Sequence, residues 1–252
     1  MRRGLEVEKS GKGMPMIHLF SNAEALAQAA ATEFARASSA SISARGRFTV
    51  ALSGGSTPKR LHALLASPPL RDQVAWDRVH LLFGDERYVP PSDEQSNERM
   101  ARETLVSRVP IPEANVHGMY APGGPDAAAS AYEDLVRSLL GDELAIDLTL
   151  LGLGPDGHTA SLFPGRPSVH ETDRLVIAAK ANAGVEDRIT MTVPLLNRSR
   201  EILFLAAGAD KADAVRRALD APENWDETPS QAVARHAPNV VWFLDEAANA
   251  AR

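Results

Sequence analysis

Short apolar runs and helix-like stretches alternate along almost the whole chain. The apolar runs are FTVAL (48–52), VHLLF (79–83), IDLTLLGL (146–153), RLVIAA (174–179), EILFLAA (201–207) and VVWFL (240–244). Most lack an apolar–polar alternation, which predicts strands buried on both faces. Helical patterns lie between them. Ser21 with Glu24 reads as a capping box before AEALAQAAATEFARA. Thr57-Pro58 opens PKRLHALLA, with proline in the first turn. Further helices are predicted from Gln95 to Val106, Asp126 to Leu140 and Asp210 to Leu219, with a short one after Thr228-Pro229.

This alternation predicts an α/β fold, a mostly parallel sheet flanked by helices on both faces. Ligands of such sheets bind beyond the carboxyl ends of the strands. There is no internal repeat and no long linker, and APGGPD (121–126) is a turn-rich joint, not a domain boundary. Residues 15–252 therefore read as one domain. Residues 1–14 carry scattered charges without an apolar run, so they read as a flexible N-terminal extension and not a signal peptide.

Composition narrows the partners. The 252 residues carry a net charge of −6, which argues against nucleic acid, whose phosphates demand clustered excess Lys and Arg. An anionic small molecule is still admissible if a local positive pocket opposes the global field. No stretch reaches the ~18 consecutive apolar residues of a membrane span. The absence of cysteine removes thiol nucleophiles, disulfides and Cys-ligated zinc. It is compatible with a reducing compartment, and the chain is read as cytoplasmic.

Four strand ends carry unusual residues. Ser53-Gly54-Gly55-Ser56-Thr57-Pro58 joins glycines, hydroxyls and a helix start. Such a loop suits phosphate, although alone it is equally a glycine-rich turn with a cap. It is neither a Walker A loop nor a nucleophile elbow. Gly84-Asp85-Glu86-Arg87 puts charges directly after VHLLF. Asp85 or Glu86 could orient a base or bind hydroxyls, and Arg87 could stabilise negative charge; the same residues would also suit a solvated turn.

The third loop, Gly152-Leu153-Gly154-Pro155-Asp156-Gly157-His158, contains G-x-G-x-x-G after a strand. A dinucleotide is rejected: Pro155 lacks an N–H, Asp156 would repel a pyrophosphate, and Pro164 cuts off the helix that should supply a dipole. What is left is a loop presenting Asp156 with His158. A carboxylate two residues from a histidine can fix its tautomer and orientation. The other histidines (His18, His62, His80, His117, His170 and His236) lack such a setting at a glycine-rich strand end. The fourth feature is a pair of cations. Arg188 precedes ITMTV, and Lys211 stands at the start of a helix, where a cation is disfavoured unless an anion shares the site. Either could be a plain surface cation.

Taken together, SGGSTP, GDERYVP, GLGPDGHTASLFPG, DRITMTVPLLN and AAGADKADAV resemble the glucosamine-6-phosphate isomerase/6-phosphogluconolactonase family, in that order, over about residues 17–245. The resemblance implies a Rossmann-like sheet with a small additional sheet. It further implies hydrolysis of 6-phospho-D-glucono-1,5-lactone without metal or organic cofactor. By motif, the phosphate loop falls on Gly54, Gly55, Ser56 and Thr57, its basic partners on Arg188 and Lys211, and the catalytic histidine on His158. Asp156, Asp85 and Arg87 fall on the remaining motif positions. Deaminases of the family carry a catalytic Glu five residues after this histidine, where this chain has Phe163. That difference favours lactone hydrolysis over an amino-sugar-phosphate deaminase or isomerase. A third reading, a non-catalytic sugar-phosphate sensor, lacks an output module. The expected partner is a small sugar phosphate, with no nucleic acid or membrane, acting on a monomer or small homo-oligomer. Which of Asp85, Glu86 and Asp156 partners His158 is left open.

Overall fold

A computed structural model describes residues 7–8 and 16–252. The main sheet takes β1 (Val7–Glu8), β2 (Met16–Phe20), β3 (Phe48–Leu52), β4 (Val79–Phe83), β6 (Leu148–Gly152), β9 (Ile202–Ala206) and β10 (Val240–Asp245) in the spatial order β1-β2-β10-β9-β6-β3-β4. All its pairings are parallel except β1 with β2. All five residues of β3 and of β9 are buried. Since successive side chains point to opposite faces, both faces of the sheet are covered there. This is the arrangement that the unbroken apolar runs predict.

The second sheet is small and antiparallel: β5 (Asp85–Arg87), β8 (Asp187–Met191) and β7 (Val176–Lys180), with β8 central. The run RLVIAA belongs here and not to the parallel sheet. Its burial alternates only in part, because the sheet has a wet side.

The helices are α1 (Ala23–Arg45), α2 (Ser56–Leu65), α3 (Leu70–Gln73), α4 (Asn97–Thr104), α5 (Pro125–Leu140), α6 (Val193–Leu196), α7 (Ala212–Leu219) and α8 (Gln231–Ala234). α1 packs on β3, β2 and β10 and against α2, and α5 packs over β7 and β8. Two helix starts differ from the sequence reading. The cap of α1 is Asn22, whose side-chain oxygen accepts from Ala25 N–H at 2.9 Å, and not Ser21. Ser21 leaves no room for the reading because the helix begins one residue later than a Ser21 cap requires. α2 begins at Ser56, behind Gly55 at φ 109°, so Thr57 and Pro58 lie inside its first turn. The expected N-terminal extension lies outside the described residues apart from Val7–Glu8, which pair with β2.

The strand order has one reversal. From β3 the chain steps to β4 on one side; it then returns to β6 on the other side of β3 and continues outward through β9 and β10. β3 and β6 are parallel neighbours. Their carboxyl ends therefore open a crevice between chain segments that depart in opposite directions, which is where such sheets bind ligands. SGGSTP leaves β3 and GLGPDGH leaves β6 at this crevice.

His62 is fully buried on α2. Its Nδ1 lies 3.0 Å from the Thr104 hydroxyl, which already donates its proton to Met100 O. Nδ1 must therefore carry the hydrogen, and Nε2 is buried without a partner. Burial holds this imidazole neutral and lowers its pKa to about 4. In the unfolded chain it takes up a proton below pH 6.5, so the group costs the fold stability as pH falls from 6.5 to about 4. The full loss is about 3 kcal/mol. His62→Leu is expected to flatten this part of the stability profile, measured by urea unfolding of both proteins between pH 7 and 4. Parallel profiles would contradict the assignment.

Candidate active site

A cavity of about 590 Å³ fills the crevice. Gly54 and Gly55 reach it from the β3 end, Gly154, Asp156 and His158 from the β6 end, and Asp85, Arg87 and Arg188 from the small sheet; Lys211 closes the remaining side. These residues come from stretches scattered across the sequence. Ser56 and Thr57 do not line this cavity. Ser56 lines a neighbouring depression that shares Gly55, Arg87 and Asn97 with it, and Thr57 sits within the first turn of α2.

The loop after β6 is not a dinucleotide loop. No α-helix follows it directly, the next being α6. Instead the chain folds back on itself, with Gly154 N–H donating to His158 O and Gly157 N–H to Gly154 O. This turn brings His158 Nδ1 within 2.6 Å of Asp156 Oδ1. Burial pushes the Asp156 carboxyl up. The hydrogen bond from the His158 ring, the charge of that ring and backbone N–H groups together outweigh it and hold the carboxyl below its ordinary value. Asp156 is therefore an anion and can only accept. Nδ1 must carry the hydrogen, and the lone pair is left on Nε2. Gly154 is required here, since a Cβ at that position would lie 2.0 Å from His158 Nδ1 and 2.5 Å from the Asp156 carboxylate.

The other two carboxylates are occupied elsewhere. Glu86 accepts from the N–H groups of Arg87, Asn97 and Glu98 and from the Ser96 hydroxyl. It anchors the start of α4. Its burial raises its pKa despite those donors. Asp85 takes the Ser161 hydroxyl at 2.6 Å and its own carbonyl accepts from Asn97, so it ties the small sheet to the loop after β6. Of the three carboxylates, only Asp156 bonds to His158. His170 and His236 also meet carboxylates, at 2.8 and 2.6 Å, but on exposed surface away from this cavity.

The cations are arranged against their own interest. β5 and β8 pair with Arg87 directly opposite Arg188, and like charges facing each other across strands destabilise a sheet. Arg188 is buried, and its pKa is lowered first by that burial and then by the charge of Arg87. Its Nε donates to Val185 O, and its guanidinium lies 5.9 Å over the Phe163 ring. The same ring sits against His158, centroids 4.6 Å apart. Phe163 thus packs its hydrocarbon ring between the His158 imidazole and the Arg188 guanidinium. Lys211 closes a short turn before α7 and is 3.2 Å from Asp210.

Several further residues outside the predicted set line the cavity. Asn97 presses so close to Gly54 that a Cβ there would lie 2.1 Å from its Oδ1. Ser53, at the end of β3, has a buried hydroxyl without a hydrogen-bond partner. Asn182 and Ala183 complete one wall. Ser53 was readable from its place beside two glycines; Asn97 was not, because its role comes from α4 folding back under β5. Among the described residues, no group of three or more His, Cys, Asp and Glu is placed to hold a metal ion.

A model of the family described as glucosamine-6-phosphate isomerases/6-phosphogluconolactonase matches residues 21–242. The chain belongs to this family. A 6-phosphogluconolactonase of Synechocystis sp. is 43% identical over 215 residues, covering 82% of this chain and 85% of its own. One of Mycobacterium tuberculosis is 38% identical over 243 residues, covering 93% and 97%. Among solved structures, a 6-phosphogluconolactonase from Shewanella baltica superposes with a TM-score of 0.82 at 27% identity, covering 93% of this chain and 98% of that one. A monomeric glucosamine-6-phosphate deaminase, 22% identical, shares the fold with a TM-score of 0.80, covering 94% and 99%. The family's fold and the arrangement found here agree, six parallel strands with a small antiparallel sheet beside them.

An anion between Arg87 and Arg188 would relieve their mutual repulsion. Inorganic phosphate is therefore expected to raise the Tm of the wild type, and Arg188→Met to lose most of that rise. Calorimetry across a phosphate series checks this. A wild-type Tm indifferent to phosphate would contradict it.

Proposed function

We propose that this protein hydrolyses 6-phospho-D-glucono-1,5-lactone to 6-phospho-D-gluconate, in the oxidative pentose phosphate pathway. The observation that carries the reading is the 2.6 Å bond from His158 to an anionic Asp156, which leaves Nε2 as a free base at the crevice. Support comes from the family and from relatives bearing the lactonase name over most of their length.

The chemistry follows from the parts. A lactone carbonyl is already an activated ester, so modest help suffices. Nε2 of His158 takes a proton from a water molecule as that water attacks C1. Negative charge gathers on the carbonyl oxygen, and Arg87 or loop N–H groups stabilise it. The C1–ring oxygen bond then breaks, and the histidinium returns its proton to the leaving oxygen. General base assistance of this kind contributes about 10²–10⁴-fold. Water attacks directly; no serine here sits in a nucleophile elbow and the chain has no cysteine.

The substrate's phosphate is held away from C1 by Arg188, Lys211 and the Gly54-Gly55 turn before α2, while Ser56 and Thr57, expected in this role from the sequence, lie outside the cavity. The first turn of α2 directs unpaired N–H groups toward an anion. Binding at the remote phosphate positions the lactone for attack. Asp85 braces the loop after β6 through Ser161, and Asp156 fixes the His158 tautomer. Phe163, packed on the His158 ring, argues against ammonia release from an amino sugar phosphate. Residues 15–252 act as one unit, a monomer or small homo-oligomer in the cytoplasm, with a sugar phosphate as partner and without a cofactor.

His158→Ala is expected to lower kcat/KM by about 10²-fold or more, measured with freshly made lactone after subtraction of spontaneous hydrolysis. A value within about threefold of wild type would remove His158 as the base. Arg188→Ala and Lys211→Ala are expected to raise KM more than they lower kcat. An unchanged KM in both would sink the phosphate assignment.

A further inference from the structure

The Asp156 and His158 side chains are 44% and 30% exposed. An ion pair so open to solvent has little energy of its own with which to hold a geometry. The backbone of the loop must hold it; from within the loop two backbone–backbone hydrogen bonds do so, with the His158 N–H donating to Asp156 Oδ1 at 3.2 Å and the Thr159 hydroxyl to Gly152 O at 2.8 Å. From outside, Ser230 N–H donates to Gly157 O at 3.1 Å, and the Pro155 and Asp156 carbonyls are held by one residue of α7. Arg217 Nη2 donates to Pro155 O at 2.8 Å, and Nη1 donates to Asp156 O at 3.1 Å. Among the described residues, neither carbonyl has another donor.

The guanidinium is itself fixed. Its Nε donates to Asp213 Oδ2 at 2.8 Å, one turn back on α7, and its Nη1 also reaches the Thr228 hydroxyl at 3.2 Å. The Arg217 carbonyl accepts from the buried Gln231 side chain at 2.8 Å, which fastens this end of α7 to α8. The loop runs as close to the guanidinium as its backbone allows. Gly157 has φ +93°, and a Cβ there would lie 2.9 Å from Arg217 Nη1. Lys211 stands directly before the same helix.

We propose that Arg217 is a positioning residue of the active site: its two-carbonyl fork holds the turn in which Asp156 meets His158. It touches neither substrate nor the reacting atoms. α7 thereby sets the spacing between the phosphate end of the cavity, at Lys211, and the base. A planar five-donor fork can bridge two carbonyls while pairing with a carboxylate, which an ammonium cannot do.

The inference rests on the lactonase reading, and the test separates the two. Arg217→Ala is expected to lower kcat about 10–100-fold, the cost of losing a group that orients a catalytic ligand, while KM stays within about threefold because Arg188 and Lys211 are untouched. Added guanidinium ion at millimolar concentration restores part of kcat to Arg217→Ala and none to His158→Ala. A kcat within threefold of wild type overturns the proposal. So does a loss that falls on KM instead, or one that guanidinium does not relieve. Should Arg217→Ala fail to fold, Arg217→Lys carries the test, with a kcat loss of at least tenfold expected and an unchanged kcat overturning it. If the wild type itself does not accelerate lactone hydrolysis, the lactonase reading falls; the proposal is then decided by the ring ¹⁵N resonances of His158, which change in Arg217→Lys if Arg217 holds the turn and are unchanged if it does not.

Discussion

One reversal of strand order, between β3 and β6, determines where everything else in this protein can act. Parallel neighbours whose chains leave in opposite directions cannot cover their own carboxyl ends, and the gap becomes the crevice. The buried strands on either side fix that gap, β3 buried throughout and β6 in all but its last residue. A glycine-rich turn enters it from one strand and a histidine-bearing turn from the other. The small sheet then adds the arginines across the opening.

Within that frame the protein accepts local penalties at the crevice. Two guanidiniums face each other across β5 and β8, and one of them is buried. A serine hydroxyl at the end of β3 has no partner. Ala160, in the loop after His158, takes a positive φ of 48° without being glycine. A fold under selection for stability alone would remove such conflicts. Their concentration around one cavity sets it apart from the rest of the fold, and the facing arginines on a chain of net charge −6 make it locally positive.

Five of the six parallel strands were legible in the sequence because burial leaves long apolar runs, and those runs end within a residue or two of the observed strands; β2 was missed, since it is only half-buried and leaves no such run. β5 was not legible: it is three charged residues, and it is a strand only because β8 pairs with it. For the same reason the sequence left three carboxylates open as partners of His158. Glu86 and Asp85 were removed by contacts with Asn97, Glu98 and Ser161, residues brought near by folding and not by spacing. Asp156 was legible because its bond to His158 is local. Arg217 gave no sign, since an arginine beside another arginine on a charged helix reads as a solvated face; its role exists only where α7 passes the loop.

The account turns on which nitrogen of His158 carries the hydrogen. An anionic Asp156 at Nδ1 requires the Nδ1–H tautomer and a bare Nε2. Two-bond ¹H–¹⁵N spectra of histidine-labelled protein near neutral pH report this directly, with His158→Gln identifying the resonances. The predicted result is a protonated Nδ1 and an unprotonated Nε2 at His158. A proton found on Nε2 in the uncharged ring would contradict the account, because the lone pair would then face Asp156 and no base would face the crevice.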